Sequence, residues 1–440
     1  MIFIFCLFAA VLLYYSCQSF RGGIAYLDFF RREIAGPDSG FTPFVSIIAP
    51  CRGLDEGLEQ NLSALFHQDF PLYEVIFAVD CELDEAVPVI TEIIHRRDAV
   101  TQGINLKNQD NEDKSIKENS AFPHRSGQNS ISAKLIIAGK AANESQKVHN
   151  LREAVLHVSG ESKIFVFVDS DARPNENWLR NLIAPLQDEK AGAATGYRWF
   201  ISRKRSLASQ MCAVWNASIA SALGADSAKN FVWGGAMALR RDVFEKLEMR
   251  ESWRGTLSDD FTVTRILKQA NLPIYFVPQA LTASIEDFDW KKLFEFTTRQ
   301  IKITRVYAQN LWIQSFLGAG LFNLVFIWGI LNLFFYSANS FAFWVSLISL
   351  LIISAFSIGK SYLRLNAVKL VLSDYKDDLK KQFWAQNTLW VFTPAVFFYN
   401  CIRALISRKI IWRGIEYNLK SSLQTEVIEQ FAVDKKDVGR

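Results

Sequence analysis

One run constrains the fold of this chain more than any other: Lys163–Arg173, KIFVFVDSDAR. Its β-branched and aromatic residues stop abruptly at two carboxylates, Asp169 and Asp171, which flank Ser170. A continuous apolar run of this length predicts a strand buried on both faces of a parallel sheet. Ligands of open α/β sheets bind outside the carboxyl ends of the strands. An Asp-x-Asp at that place can hold a divalent cation, and the cation a diphosphate. The plain structural alternative is a polar turn after a strand.

The chain has 440 residues, of which 50% are apolar, 13% aromatic and 21% charged. That mixture is too apolar for an ordinary soluble protein and too charged for one embedded wholly in lipid. It predicts a soluble part joined to membrane segments. The net charge of +4 is too small to argue for nucleic acid and fits basic flanks beside a bilayer. The six cysteines, at 6, 17, 51, 81, 212 and 401, form no C-x-x-C pair. Neither a zinc site nor a disulfide framework is expected, and scattered reduced thiols place the soluble part in a reducing cytosol.

Residues 1–20 are almost unbroken apolar sequence, long enough to span a bilayer. A basic n-region and a small-x-small cleavage site are both missing, which favours an uncleaved anchor over a signal peptide. Arg21, Arg31 and Arg32 follow, so the positive-inside rule puts the N-terminus outside and the rest in the cytosol. Residues 21–43 read as a juxtamembrane linker, turn-rich from Gly36 to Pro43. Residues 44–311 then alternate strand and helix, the pattern of a mainly parallel sheet with crossover helices. Residues 101–130 break it with a polar, expectedly mobile insertion. Ser206–Gly224 carries no charge and reads as a buried or interfacial helix.

Residues 312–405 form a membrane region. Trp312–Phe335 and Phe341–Ile358 are spans, and Trp384–Leu405 is a third apolar stretch broken by Pro394. A full last crossing would put the basic tail, with Arg403, Arg408, Lys409 and Arg413, outside. The alternative is a stretch that dips in and returns. Residues 406–440 are a cytosolic-side tail, expected to fray from Gln424.

Candidate site residues fall in order along the domain. Asp80 ends the strand Tyr73–Val79, and Asp84 follows. Ser258 can cap a helix opened by Asp259 and Asp260. Capping explains one carboxylate and leaves the other for chemistry. Asp289–Tyr307 is a basic amphipathic helix with Arg299, Lys302 and Arg305 on one face, either a surface stripe or a phosphate clamp.

This ordered set resembles the GT-A fold glycosyltransferases of the family 2 type, and more closely the ceramide glucosyltransferase group, family 21. The matching stretches are SIIAPCRGLDEGLEQNL, DFPLYEVIFAVD, KVHNL, FVFVDSDAR, GGAMALRRDVFEKL, LSDDF, RQIKI and IIWRGIEYNL. The resemblance implies an α/β GT-A domain that binds a nucleotide-sugar, with N- and C-terminal membrane helices. It implies that Asp80 or Asp84 contacts the nucleotide, that Asp169 and Asp171 hold Mg²⁺ or Mn²⁺, and that Asp260 is the general base. Lys147, with Asn150, matches a Lys/Asn pair of the family, and Asp169, Asp259, Arg299 and Lys302 join it on the nucleotide-sugar. The family's (Q/R)-x-x-R-W motif stands here as Arg299-Gln-Ile-Lys302-Ile303, so the arginine fork and the aromatic wall are both replaced. Arg305 is a candidate replacement cation. Trp412 and Arg413 match a C-terminal motif that returns toward the active site.

The implied function is inverting transfer of a hexose, glucose by the family's best-known pairing, from a UDP-sugar to a lipid hydroxyl of ceramide or a related lipid. The implied setting is a membrane, with the catalytic domain in the cytosol and no nucleic-acid partner. Two alternatives stand beside it: a processive polysaccharide synthase, and a degenerate nucleotide-binding membrane scaffold.

Overall fold

A computed structural model describes residues 2–37, 39–97 and 131–430. The insertion at 101–130 lies outside the described residues.

The centre of the molecule is a seven-stranded sheet of order β3-β2-β1-β4-β7-β5-β8. Its strands are β1 (Val45–Pro50), β2 (Tyr73–Val79), β3 (Ser132–Ile137), β4 (Ile164–Val168), β5 (Ala193–Thr195), β7 (Ala236–Arg240) and β8 (Ile274–Phe276). The pairs β2–β3, β1–β2, β1–β4 and β5–β8 are parallel, and only β7 runs against its neighbours. β6 (Arg198–Ile201) and β9 (Thr282–Ile285) make a separate parallel pair. Apolar runs on the inner strands exist because both sheet faces are covered. Ile47, Phe77 and Val166 pack on one side, Ile48, Ile76 and Phe167 on the other.

Two features fix where a ligand can sit. β1 lies between β2 and β4, so the chain order reverses there, and a crevice opens at the strand ends. β7, being antiparallel, begins at that same edge, with Val168 paired to Ala236. Trp233, Gly234 and Gly235 therefore stand beside Asp169–Asp171.

The membrane part departs from the expected boundaries. The first helix runs from Ile2 to Ile34, through most of the linker expected at 21–43. No proline interrupts it, and Gly23 packs so closely on the third long helix that an added methyl would stand 3.2 Å from Lys360. Three helices, Ile2–Ile34, Gln309–Phe335 and Phe341–Val371, are long and apolar enough to cross a membrane. Helices Phe383–Val391 and Thr393–Ile406 form a pair bent by 57° at the break before Pro394. The chain is anchored to the domain on both sides of this pair. Gln382 accepts from Trp199 Nε1 at 3.0 Å and donates to the Phe200 carbonyl at 2.8 Å. Arg413, beyond the pair, binds Asp55 at 2.6 Å. The pair thus starts and ends against the same domain. The Leu207–Ala220 helix is largely buried, as its weakly polar composition predicts.

The tail is ordered where fraying is expected. β10 (Lys409–Trp412), β11 (Ile415–Ser421) and β12 (Gln424–Gln430) form an antiparallel sheet. Thr425 donates its amide to the Gly255 carbonyl at 2.8 Å, which ties the last strand to the domain.

Candidate active site

A cleft of about 430 Å³ opens at the switch point, lined by Cys51, Arg52, Lys147, Asp169, Asp171, Arg198, Arg299 and Arg413 among others. Asp169 and Asp171 sit just past β4, on its floor. Asp169 Oδ1 accepts from Lys147 Nζ at 2.7 Å, and Asp171 Oδ2 from Arg198 Nη1 at 3.1 Å. The second oxygen of Asp171 is buried with no partner among the described residues. Burial pushes the Asp171 carboxyl up to about 7, with Asp169 and Asp55 adding to the rise and Arg198 opposing it. Burial acts on Asp169 as well, yet Lys147 holds it below the usual carboxylate range.

Lys147 is delivered by the Gln146–Ala154 helix. Ser145 caps that helix by accepting from the Val148 amide, and its hydroxyl donates to the Leu257 carbonyl at 2.7 Å. Asn150, one turn on, donates to the carbonyls of Cys51 and Ala78 and so locks the helix to the ends of β1 and β2. Lys147 also reaches Asp259 Oδ1 at 3.1 Å. Burial raises the Asp259 carboxyl to about 6, although Lys147 works against it, and its other oxygen has no partner among the described residues. The two adjacent aspartates are thus divided. Asp259 turns inward to Lys147, whereas Asp260 accepts from the Ser258 hydroxyl, from the Phe261 amide at 2.7 Å and from the Gly234 amide at 3.3 Å.

Of the early aspartates, Asp80 is buried and binds Arg52, whose side chain lines the cleft. Asp84 accepts from the backbone amides of Gly53 and Ala86 and shapes the loop instead. In the basic helix Trp290–Tyr307, Arg299 lines the cleft, its guanidinium over the rings of Phe296 and Trp412. Lys302 does not line it. Its ammonium donates to the Lys409 carbonyl at 2.6 Å and faces a second cavity. Nor does Arg305 replace it, because its guanidinium is spent on the carbonyls of Ala404 and Leu405 at a helix end.

The tail completes the wall. Arg413 and Gly414 form a two-residue hairpin between β10 and β11, both at positive φ (48° and 72°). That backbone is uncommon for a residue with a side chain. Arg413 is held there by Asp55 and by the Arg52 carbonyl, and Asp55 in turn accepts from the Ser170 hydroxyl at 2.5 Å.

Sequence reasoning did not select Arg198, Arg52 or Asp55. The signal for Arg198 was present, a lone cation inside the apolar run Gly196–Ile201. Arg52 and Asp55 stand in a loop whose partners, Asp80, Ser170 and Arg413, are distant in sequence, so nothing local marks them.

The family model for glycosyl transferase family 21 matches residues 1–114 and 120–424. Among solved structures, the chain is similar to the mannosyltransferase PcManGT from Pyrobaculum calidifontis, solved in complex with GDP-Man and Mn²⁺. The match has a TM-score of 0.44 and 16% identity over 91% of this chain and 99% of that one. It is also similar to a 4-diphosphocytidyl-2C-methyl-D-erythritol synthase from Anaerococcus prevotii, at a TM-score of 0.32 and 9% identity over 57% of this chain and 93% of that one. Both structural likenesses are distant, and it is the family match, over nearly the whole length, that places the chain. The chain belongs to glycosyl transferase family 21 and is a glycosyltransferase of the GT-A type.

Proposed function

We propose that this protein is a membrane-bound inverting glycosyltransferase that moves a hexose, glucose first among candidates, from a UDP-sugar to the hydroxyl of ceramide or a related lipid. One observation carries this reading. A polar cleft with two acidic residues on its floor and Lys147, Arg198 and Arg413 around them is built on a domain flanked by membrane-spanning helices. Cations so placed suit the diphosphate of a donor, and the flanking helices suit an acceptor that never leaves the bilayer. The proposed orientation puts this domain in the cytosol, where nucleotide-sugars are available.

The residues present fit a divalent cation. Among the described residues no group of three or more carboxylate, His or Cys side chains could enclose one. However, Mg²⁺ is commonly held by one or two carboxylates plus substrate phosphates. The buried, unpaired Asp171 oxygen is the vacant donor such a site needs, and Asp169 stands beside it. When bound there, Mg²⁺ or Mn²⁺ supplies Lewis-acid neutralisation of the leaving diphosphate. Arg198 and Arg413 add fixed positive charge where the leaving group becomes anionic. Asp80 acts through Arg52 on the nucleotide side. Lys147 lines the cleft toward the sugar, backed by the buried Asp259.

Asp260 is the proposed base. Its carboxylate, aimed by Ser258, Phe261 and Gly234, takes the proton from the acceptor hydroxyl as that oxygen attacks the anomeric carbon. The bond from the anomeric carbon to the UDP oxygen breaks in the same displacement, which inverts configuration. Arg299 flanks the cleft. Lys302 has no assigned part in this chemistry.

The test is transfer from radiolabelled UDP-sugars into the lipid fraction of membranes that contain the protein, with and without Mg²⁺ or Mn²⁺. The expected result is a labelled lipid that requires metal and is lost in Asp260→Asn, which still binds UDP. Label in an aqueous polymer would replace this reading with a polysaccharide synthase. UDP binding without transfer from any donor would replace it with a nucleotide-binding scaffold.

A further inference from the structure

A second cavity, of about 370 Å³, opens beside the cleft between the basic helix, the Thr393–Ile406 limb of the bent pair and β10. Arg299, Lys302, Arg403 and Lys409 line it, against two acids, Glu295 and Glu416. Of these cations only Lys409 has a carboxylate partner within ion-pair distance among the described residues, Glu416 at 3.5 Å. Arg299 rests on aromatic rings, and Lys302 donates to a backbone carbonyl. The Arg403 side chain has neither ion pair nor hydrogen bond among the described residues. Four cations thus face two acids around one space, an excess of positive charge that an anion would relieve. Burial, together with Arg403 nearby, lowers the proton affinity of Lys302, as expected of a cation held without its partner.

The setting says where the anion comes from. Arg403 is on the limb that dips with the membrane helices. Around it Ile402, Leu405, Ile406 and Ile411 are exposed, Ile406 by 75%. Apolar side chains that surround cations on one surface mark the headgroup level of a bilayer. We propose that this cavity binds the phosphate of an anionic phospholipid of the surrounding membrane, gripped by Lys302 and Arg403 and backed by Arg299. The site is distinct from the donor cleft and joins it at Arg299 and Glu295. Lys302, which the family motif implies for the donor diphosphate, serves the lipid instead.

The experiment uses the full-length protein in neutral detergent, with phosphatidylglycerol and phosphatidylcholine added at equal concentration and retained lipid counted by native mass spectrometry. The readout needs no sugar transfer, so its failure is separate from failure of the proposed reaction. Wild type is expected to retain phosphatidylglycerol preferentially, and Arg403→Gln to weaken that preference about fivefold, the worth of one cation near a membrane surface. Arg403→Lys is expected to restore most of it. UDP binding by Arg403→Gln, measured in parallel, is expected to match wild type because Arg403 does not line the donor cleft. Equal retention of the two lipids by wild type would overturn the proposal, whatever the variants do. So would an undiminished preference in Arg403→Gln that binds UDP normally. Inorganic phosphate that displaces phosphatidylglycerol at equal concentration would assign the site to a soluble anion and overturn the lipid.

Discussion

Gly234 is a tight point of the candidate site. A methyl group there would stand 2.3 Å from Asp259 Oδ2 and 2.7 Å from Lys147 Nζ. Those contacts are too short to survive, so Gly234→Ala must push the Lys147–Asp259 pair out of place. Loss of transfer by about a hundredfold is expected, the usual cost of displacing a site by an ångström. Far-UV circular dichroism should be unchanged, and a variant with wild-type turnover would show that this pair has no part in the reaction. Asp171→Ala makes a different point. It removes the unpaired oxygen and leaves Arg198 without its partner, so UDP binding should lose its response to Mn²⁺ in a calorimetric titration. A metal response equal to wild type would remove Asp171 from the metal site. These two positions differ in how far the sequence revealed them. Asp169 and Asp171 stood out in the sequence because charge abruptly ends an apolar strand, with a polar turn as the alternative reading. The Trp-Gly-Gly stretch announced a close approach of the backbone, but what approaches it is known only from the folded geometry.

At the scale of elements, the sheet was legible and the boundaries of helices were not. β1, β2 and β4 are continuous apolar runs that only a doubly covered sheet can hide. The helix Trp178–Ile183 gives way to a 3₁₀ turn, Ala184–Gln187, because Pro185 denies it an amide. The helix that carries Lys147 has a polar strut with its own signature. Glu144, just before the Ser145 cap, accepts from Arg152 at 2.8 Å and from the Gly255 amide at 3.1 Å, and lies 2.9 Å from His149 Nδ1. The bond to Glu144 raises the His149 pKa above its ordinary 6.5. Burial works to raise Glu144, yet His149, Arg152 and the amide hold it below its ordinary 4.5. The signs follow by linkage. His149 contributes stability that is complete below pH 6.5 and lost as the pH rises through its folded value. Glu144 contributes stability that is complete above pH 4.5 and lost on further acidification. The difference in unfolding temperature between wild type and His149→Gln should therefore be largest between pH 4.5 and 6.5 and shrink above it. A difference that stays the same above pH 6.5 as below it would show that the contact adds nothing that depends on charge.

At the scale of the whole molecule, charge and parity disagree. The basic residues at 403–413 belong beside the cytosolic face, but a fourth crossing would carry them away from it. Sequence cannot decide, because the answer lies in contacts between segments far apart in the chain. Gln382 on β6 and Arg413 on Asp55 supply them: the bent pair leaves the domain and comes back to it. With three crossings, residues 372–382 and the tail are expected on the domain's side, and the 336–340 turn on the other. Single cysteines at Asp377, Ser337 and Ser421, in a background without the six native ones, make this a direct measurement with an impermeant maleimide on sealed vesicles. Asp377→Cys and Ser421→Cys should label from one side and Ser337→Cys from the opposite side. If Asp377→Cys and Ser421→Cys labelled from opposite sides, the bent pair would be a true span. Arg413 would then be separated from Asp55 by a bilayer, and the donor cleft would lose the wall that the tail provides. The topology and the site therefore stand or fall together.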